Sequence, residues 1–200
     1  MCDVPSFFGD AVLTRTESEL YQPLVDFLHS DFYTAQRPKH GNLRIVAQVV
    51  ADVPAPAGGT WTRPDVAAVA VSRRKFAPIA HIDILSFEVK THTGANLVSV
   101  YEALAHARFV NLSYLVWNRP ACICGDHPRY QGIKDACQSH GVGLITVHNP
   151  SDRRTYDVRA APTRSSVSDD ALDDFVISRF SERNQALITN ALTDFCPRPL

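Results

Sequence analysis

Apolar residues recur along this chain in two periods, and the switches between them mark its elements. From Glu17 to Ser30, Leu20, Leu24, Phe27 and Leu28 keep helical spacing. Thr16, with Glu19 three residues on, reads as a capping box for that helix. Pro23 is awkward inside it and predicts a late helix start or a kinked first turn. The β-branched run "LRIVAQVVADV" (Leu43 to Val53) then predicts a strand. "APAGGT" is a turn, "DVAAVAVS" a second strand, "RRKFAPIA" a loop and "HIDILSFEVK" a third strand. Such short, turn-rich connections predict an antiparallel meander.

"GAN" opens a second helix. Leu97, Val100, Tyr101, Leu104 and Arg108 fall on one stripe, with Tyr101 assigned to the core, and Ser99, Glu102 and His106 fall on another. "LSYLVWN" (Leu112 to Asn118) is a fourth strand, entered from a helix and therefore parallel to a neighbour. The loop "RPACICGDHPRY" follows. A short helix over Gln131–His140 is stopped by Gly141. "GVGLITV" is a fifth strand, and "TYDVRA" adds an edge strand. From about Thr163 the composition changes: "TRSSVSDD" is a polar hinge, and Ala171 to Phe195 reads as one or two amphipathic helices. The order predicts an α/β sandwich around a central mixed sheet flanked by helices. It divides into a core over 1–162 and a C-terminal helical extension over 163–200. That extension is expected to dock on the core or on a second copy, which makes it a candidate homodimer contact.

The chain has 200 residues, 45% hydrophobic and 20% charged, with a formal net charge of -1. That length supports one domain with a proper core. The charge excludes a whole-protein basic field for gripping nucleic acid, so any polyanion contact must be local. No secretory h-region and no apolar run near the ~18 residues of a membrane span is present. Five cysteines, an odd number in a chain too long to need staples, read as free thiols. These features together predict a cytoplasmic protein without a membrane partner.

The chemistry gathers at the end of the third strand. Strand side chains alternate, so Ile82, Ile84, Ser86, Glu88 and Lys90 share one face. Asp65 stands at the start of the neighbouring strand, and antiparallel pairing brings it to Glu88 and Lys90. Two close carboxylates repel unless a proton or a cation intervenes. Hard oxygen donors of this kind suit Mg²⁺ or Mn²⁺. A lysine beside such an ion can orient a water or stabilise charge on a phosphate. The plainer reading is an ion pair at a solvated sheet end. The apolar character of both strands makes an idle charge cluster there costly.

Pro64-Asp65, a strand-length gap and then Glu88-Val89-Lys90 resemble the motif of the PD-(D/E)xK nuclease superfamily, which includes restriction endonucleases and Holliday-junction resolvases. The resemblance spans roughly Thr16 to Val147. It implies a restriction-endonuclease-like core of helix, three antiparallel strands, helix and strand. It implies a hydrolase that cuts phosphodiester bonds with Mg²⁺ or Mn²⁺, DNA more than RNA. The metal positions it implies are Asp65, Glu88 and the backbone carbonyl of Val89, with Lys90 assisting the attacking water. Many members add a Glu from the first helix. The candidates here are Glu17 and Glu19, and "ESELYQPLVDFL" favours Glu17.

Several weaker signals surround this motif. Arg73, Arg74 and Lys75 are assigned to a hairpin tip beside the site and to nucleic-acid contact, as is His106 on the following helix. Arg37, Lys39, His40 and Arg44 form a second basic group able to neutralise phosphates. Cys122, Cys124, His127, Cys137 and His140 offer a zinc site of non-standard spacing, with free thiols as the alternative. Two rival functions follow. One is a non-catalytic nuclease-fold module for nucleic-acid binding or assembly; the other is a zinc-dependent binding domain. The near-neutral charge implies modest intrinsic affinity, with targeting left to a protein partner or to dimerisation.

Overall fold

The computed structural model describes residues 15–36, 39–54, 63–76, 79–119 and 128–195. Among the described residues six segments pair as strands: β1 (Gly41–Val49), β2 (Val66–Arg74), β3 (His81–Lys90), β4 (Leu112–Asn118), β5 (Gly143–Val147) and β6 (Tyr156–Ala160). They form one mixed sheet in chain order. β1, β2 and β3 are an antiparallel meander, β3, β4 and β5 run parallel, and β6 closes antiparallel on β5. The expected meander, parallel fourth strand and edge strand are therefore all present. β1 begins and ends earlier than its apolar run. Past Val49 the chain turns, and the Val50 and Ala51 amides both donate to the Asp65 carbonyl.

Helix α1 (Ser18–Phe27) continues into a π-helical turn, Leu28–Phe32, and a last short turn, α2 (Tyr33–Gln36). Pro23 lies inside α1. It removes one intrahelical donor but leaves the buried stripe of Leu20, Leu24 and Phe27 intact. That stripe covers one face of the sheet together with Leu28 and Phe32. It packs against Ala68, Leu85, Phe87, Val89, Tyr114, Val116, Ile145 and Val147.

The opposite face has two covers. α3 (Leu97–His106) and α4 (Tyr130–His140) pack with Leu115, Trp117 and Leu144. Gly141 ends α4 with φ 69°, the left-handed conformation that glycine adopts without strain. The buried residues of α3 are Ser99, Val100, Ala103 and His106. Leu97 and Tyr101 are about half exposed, so the assignment of Tyr101 to the core is corrected. Of its polar stripe, Ser99 and His106 are buried and Glu102 partly so, beside Val100 and Ala103.

α5 (Asp169–Arg179) and α6 (Glu182–Phe195) cover the β1–β3 half of that face. Phe175, Phe180, Ile188, Ala191 and Phe195 bury Val46, Val50, Ala67, Val69, Val71 and Ile84. The Arg179 guanidinium is buried too and donates to the carbonyls of Val53 and Pro54. The change of composition at Thr163 is thus a boundary in the sequence, while the helices beyond it complete the core of residues 1–162. Their buried apolar residues lie on their own sheet, while Ile177 and Leu187 stay exposed. Removing residues 164–200 is expected to strip that cover and leave an insoluble or unfolded chain. Phe180→Ala should cost about 3 kcal/mol, read by urea unfolding. A soluble, cooperatively folding truncation would contradict this packing.

Candidate active site

The β2–β3 register is Val66↔Phe87, which sets Asp65 opposite Glu88 one step further on. The Asp65 backbone is held on both sides. Its amide donates to the Phe87 carbonyl, and its carbonyl accepts from Val50 and Ala51. Its side chain is held as well: Oδ1 accepts from the Tyr21 hydroxyl at 2.8 Å and Oδ2 from the Val89 amide at 2.8 Å. Asp65 is thus bonded directly to the middle residue of the Glu88-Val89-Lys90 run.

Glu88 and Lys90 share a strand face, as their alternation predicts, and meet over it. Lys90 Nζ lies 2.7 Å from Glu88 Oε1, 3.0 Å from Glu102 Oε2 on α3 and 4.0 Å from Glu17 Oε1 at the start of α1. Glu19 is engaged elsewhere, accepting the Thr16 amide at 2.7 Å. The choice between the two glutamates in the geometry is therefore Glu17. A Cβ on Gly94 would stand 3.3 Å from Glu17 Oε1, so glycine leaves room for that carboxylate. The result is one ammonium amid four carboxylates, between α1 on one face of the sheet and α3 on the other. It is not a solvated ion pair, since Glu88 is only 8% exposed.

Burial and crowding shift Glu88, Asp65 and Glu17 in one direction. Glu88 is pushed up to about 8, by burial first and the Asp65 charge second, with Lys90 opposing. Burial raises Asp65 against the pull of the Val89 amide, the Tyr21 hydroxyl and Lys90. Glu17 rises through burial, with Asp65 and Glu102 adding to it. Burial works against the Lys90 charge, but Glu88, Glu102 and Glu17 outweigh it and hold the ammonium protonated. The Tyr21 hydroxyl is raised by burial and by Asp65, so it stays a donor.

His106 is not at a nucleic-acid cleft. It is 1% exposed, with Nε2 3.8 Å from Glu88 Oε2, and Nδ1 has no hydrogen-bond partner among the described residues. Burial, then the Lys90 and Arg179 charges, lower it to about 3, so the ring is neutral. The basic loop is also displaced from its expected place. Arg73 and Arg74 end β2 at the opposite end of the sheet, roughly 25 Å along the strand from Asp65 at ~3.3 Å per residue. There Arg73, Arg74 and Lys75 line a cleft of about 360 Å³ with His40, Gly41 and Asn42. Arg73 is engaged, donating to the Phe195 carbonyl. The two ends of β2 lie far apart, so the expected position of this loop beside the site is corrected. Lys39, His40 and Arg44 are exposed on that side of the sheet; Arg37 lies outside the described residues.

Cys122, Cys124 and His127 also lie outside the described residues. Cys137 is a buried free thiol, raised to about 12 by burial. Its stem packs with Trp117 and Ile133 rather than toward His140, whose ring lies against Tyr101. Among the described residues no three His, Cys, Asp or Glu side chains are gathered as a metal cluster. The donor type nevertheless fits a hard divalent ion: carboxylates that burial and mutual repulsion push toward protonation and that added positive charge would relieve.

Sequence reasoning missed Tyr21 and the inward role of Glu102. Helical spacing held the signal for both. Tyr21 stands one turn after Glu17, and Glu102 one turn before His106.

No protein-family model matches the chain, and no curated protein does. A solved structure, the SPO1766 protein of unknown function from Silicibacter pomeroyi, is similar at 12% identity and a TM-score of 0.46, covering 94% of this chain and 99% of that one. Among the described residues, no helix is long and apolar enough to cross a membrane.

A carboxyl raised on folding contributes stability that is complete below its unfolded pKa and is lost as pH rises through the folded value. For Glu88 that window runs from its ordinary 4.5 to about 8. Thermal stability of the metal-free protein is therefore expected to fall across that range. Glu88→Gln should flatten the fall and exceed the wild type by about 1 kcal/mol at the alkaline end. An unchanged slope in the variant would mean that Glu88 is not the strained group.

Proposed function

We propose that this chain is a divalent-metal-dependent nuclease that hydrolyses phosphodiester bonds, in DNA in preference to RNA. The observation that carries the reading is the union of Asp65 with the Glu88-Val89-Lys90 run at one sheet end, joined by the Val89 amide on Asp65. Helix, antiparallel meander, helix and parallel strand, in that order, also agree with the restriction-endonuclease-like core that the PD-(D/E)xK pattern implies.

Asp65, Glu88 and the Val89 carbonyl would hold Mg²⁺ or Mn²⁺, with Glu17 near them. The ion would supply Lewis-acid polarisation of a phosphate and activation of water. The chain's own residues have separate tasks. Tyr21 and the Val89 amide fix the rotamer of Asp65. Lys90, kept protonated by its carboxylate neighbours, offers an ammonium to a phosphate oxygen or to the attacking water. Neutral His106 fills the space behind Glu88 without adding charge.

A second reading has one observation in its favour. Lys90 already compensates Glu88 at 2.7 Å, and both Asp65 oxygens are hydrogen-bonded, so the cluster is stable without an ion. That arrangement suits a nuclease-fold protein serving as a nucleic-acid-binding or assembly module.

Calorimetry with Mn²⁺ alone, beside a cleavage assay on plasmid and branched DNA, separates the two. Asp65→Asn and Glu88→Gln should each lose ion binding by at least about tenfold and lose cleavage. Lys90→Ala should bind the ion at least as tightly as the wild type while cleavage falls by about 100-fold or more. Wild-type cleavage by the carboxylate variants would sink the assignment. A wild type that binds no ion and cuts nothing favours the module.

A further inference from the structure

Lys90 stands where an entering cation would have to compete with it. Its Nζ takes a Glu88 oxygen at 2.7 Å, one of the oxygens a divalent ion would need. An ammonium has three N–H donors and no acceptor, so it can leave one carboxylate while keeping another. The carboxylate it can keep is Glu102, at 3.0 Å.

Glu88 lies on β3 and Glu17 at the start of α1, whereas Glu102 comes from α3. That helix is anchored at its start by a capping box between Asn96 and Ser99 and along its length by buried Val100, Ala103 and His106. Glu102 is therefore a fixed acceptor on the α3 side of a long, flexible lysine stem. We propose that Lys90 is the resident counter-ion of this acidic cluster, and that Glu102 is the positioning residue which retains its ammonium when a divalent ion takes Glu88. The inference rests on the metal-dependent reading above. Its consequence is that ion affinity is set by a competition inside the protein. Lys90 opposes the ion, and Glu102 lowers that opposition by giving the ammonium a second partner. Lys90 then remains aimed at the cluster while the ion is bound.

The test is a double-mutant cycle on the full chain, with Mn²⁺ alone as the probe and affinity read by calorimetry. Glu102→Asp keeps the charge but shortens the side chain by about 1.5 Å, which takes the contact out of hydrogen-bond reach. It should weaken Mn²⁺ binding about fivefold when Lys90 is present and leave it unchanged in a Lys90→Met background. Lys90→Met alone should tighten binding about tenfold. It should also lower the melting temperature of the metal-free protein, with Mn²⁺ restoring it, which confirms that the variant folds. An effect of Glu102→Asp that is absent, or equal in both backgrounds, overturns the positioning role. Lys90→Met binding no tighter than the wild type overturns the counter-ion role. If neither the wild type nor Lys90→Met binds Mn²⁺, the metal-dependent reading itself fails, and the inference falls with it.

Discussion

The end of the sheet where β2 begins depends on one ammonium group. Asp65, Glu88, Glu17 and Glu102 all bear on Lys90, and a half-buried cluster of that composition holds together only because the cation is inside it. Burial alone would drive the carboxylates to protonate, and the upward displacement of Glu88 shows how far the balance has moved. The rest of the local structure acts to keep this arrangement in place. Val50, Ala51 and Phe87 hold the Asp65 backbone, while Tyr21 and Val89 hold its carboxylate.

That fixation traces back to register. A strand pair slipped by one residue would turn Asp65 to the other face and leave Glu88 without its neighbour. The register is set by the alternation of β2. Val66 and Ala68 face the α1 layer, whereas Ala67, Val69 and Val71 face the α5–α6 layer. Both faces are buried, so a slip would exchange two apolar sets cut for different helical covers. The alanines let helices approach closely on both sides. In this way the C-terminal helices, which carry none of the clustered charges, help fix the geometry of the cluster: Phe175, Phe180 and Phe195 pack on the strand that Asp65 leads into.

Much of this was legible in the sequence because it rests on local period and on pairing of chain neighbours. The meander, the parallel fourth strand, the edge strand and the juxtaposition of Asp65, Glu88 and Lys90 all follow from alternation and short connections. What was not legible depended on which face of a helix meets the sheet. On α3 the stripe of Leu97 and Tyr101 has the greater hydrophobicity, yet Ser99, Glu102 and His106 turn inward. Val100, Ala103 and Leu104 still meet apolar Leu115 and Trp117, and the polar side chains turn in only beside Glu88 and Lys90. The fate of residues 163–200 was hidden for a related reason. An amphipathic helix announces that it will be covered, not by what. The Arg73–Lys75 misplacement was of another kind, since the register itself puts that end of β2 far from Asp65.

Charge is distributed along the sheet in a way that bears on function. Acids crowd the end where β2 begins, and Arg73, Arg74, Lys75 and His40 line the other. A phosphodiester approaching the acidic end meets more carboxylates than ammonium groups, so in the absence of further positive charge it is repelled. For that end to act on nucleic acid, as proposed, the sign of its field must first reverse. A divalent ion bound as proposed would do this where the carboxylates are least comfortable ionised. The crowding that raises Glu88 would then favour recruiting the ion and make substrate binding conditional on it. A chain of nearly zero net charge has no general attraction for polyanions, and such a conditional local field would confine binding to the place where cleavage can follow.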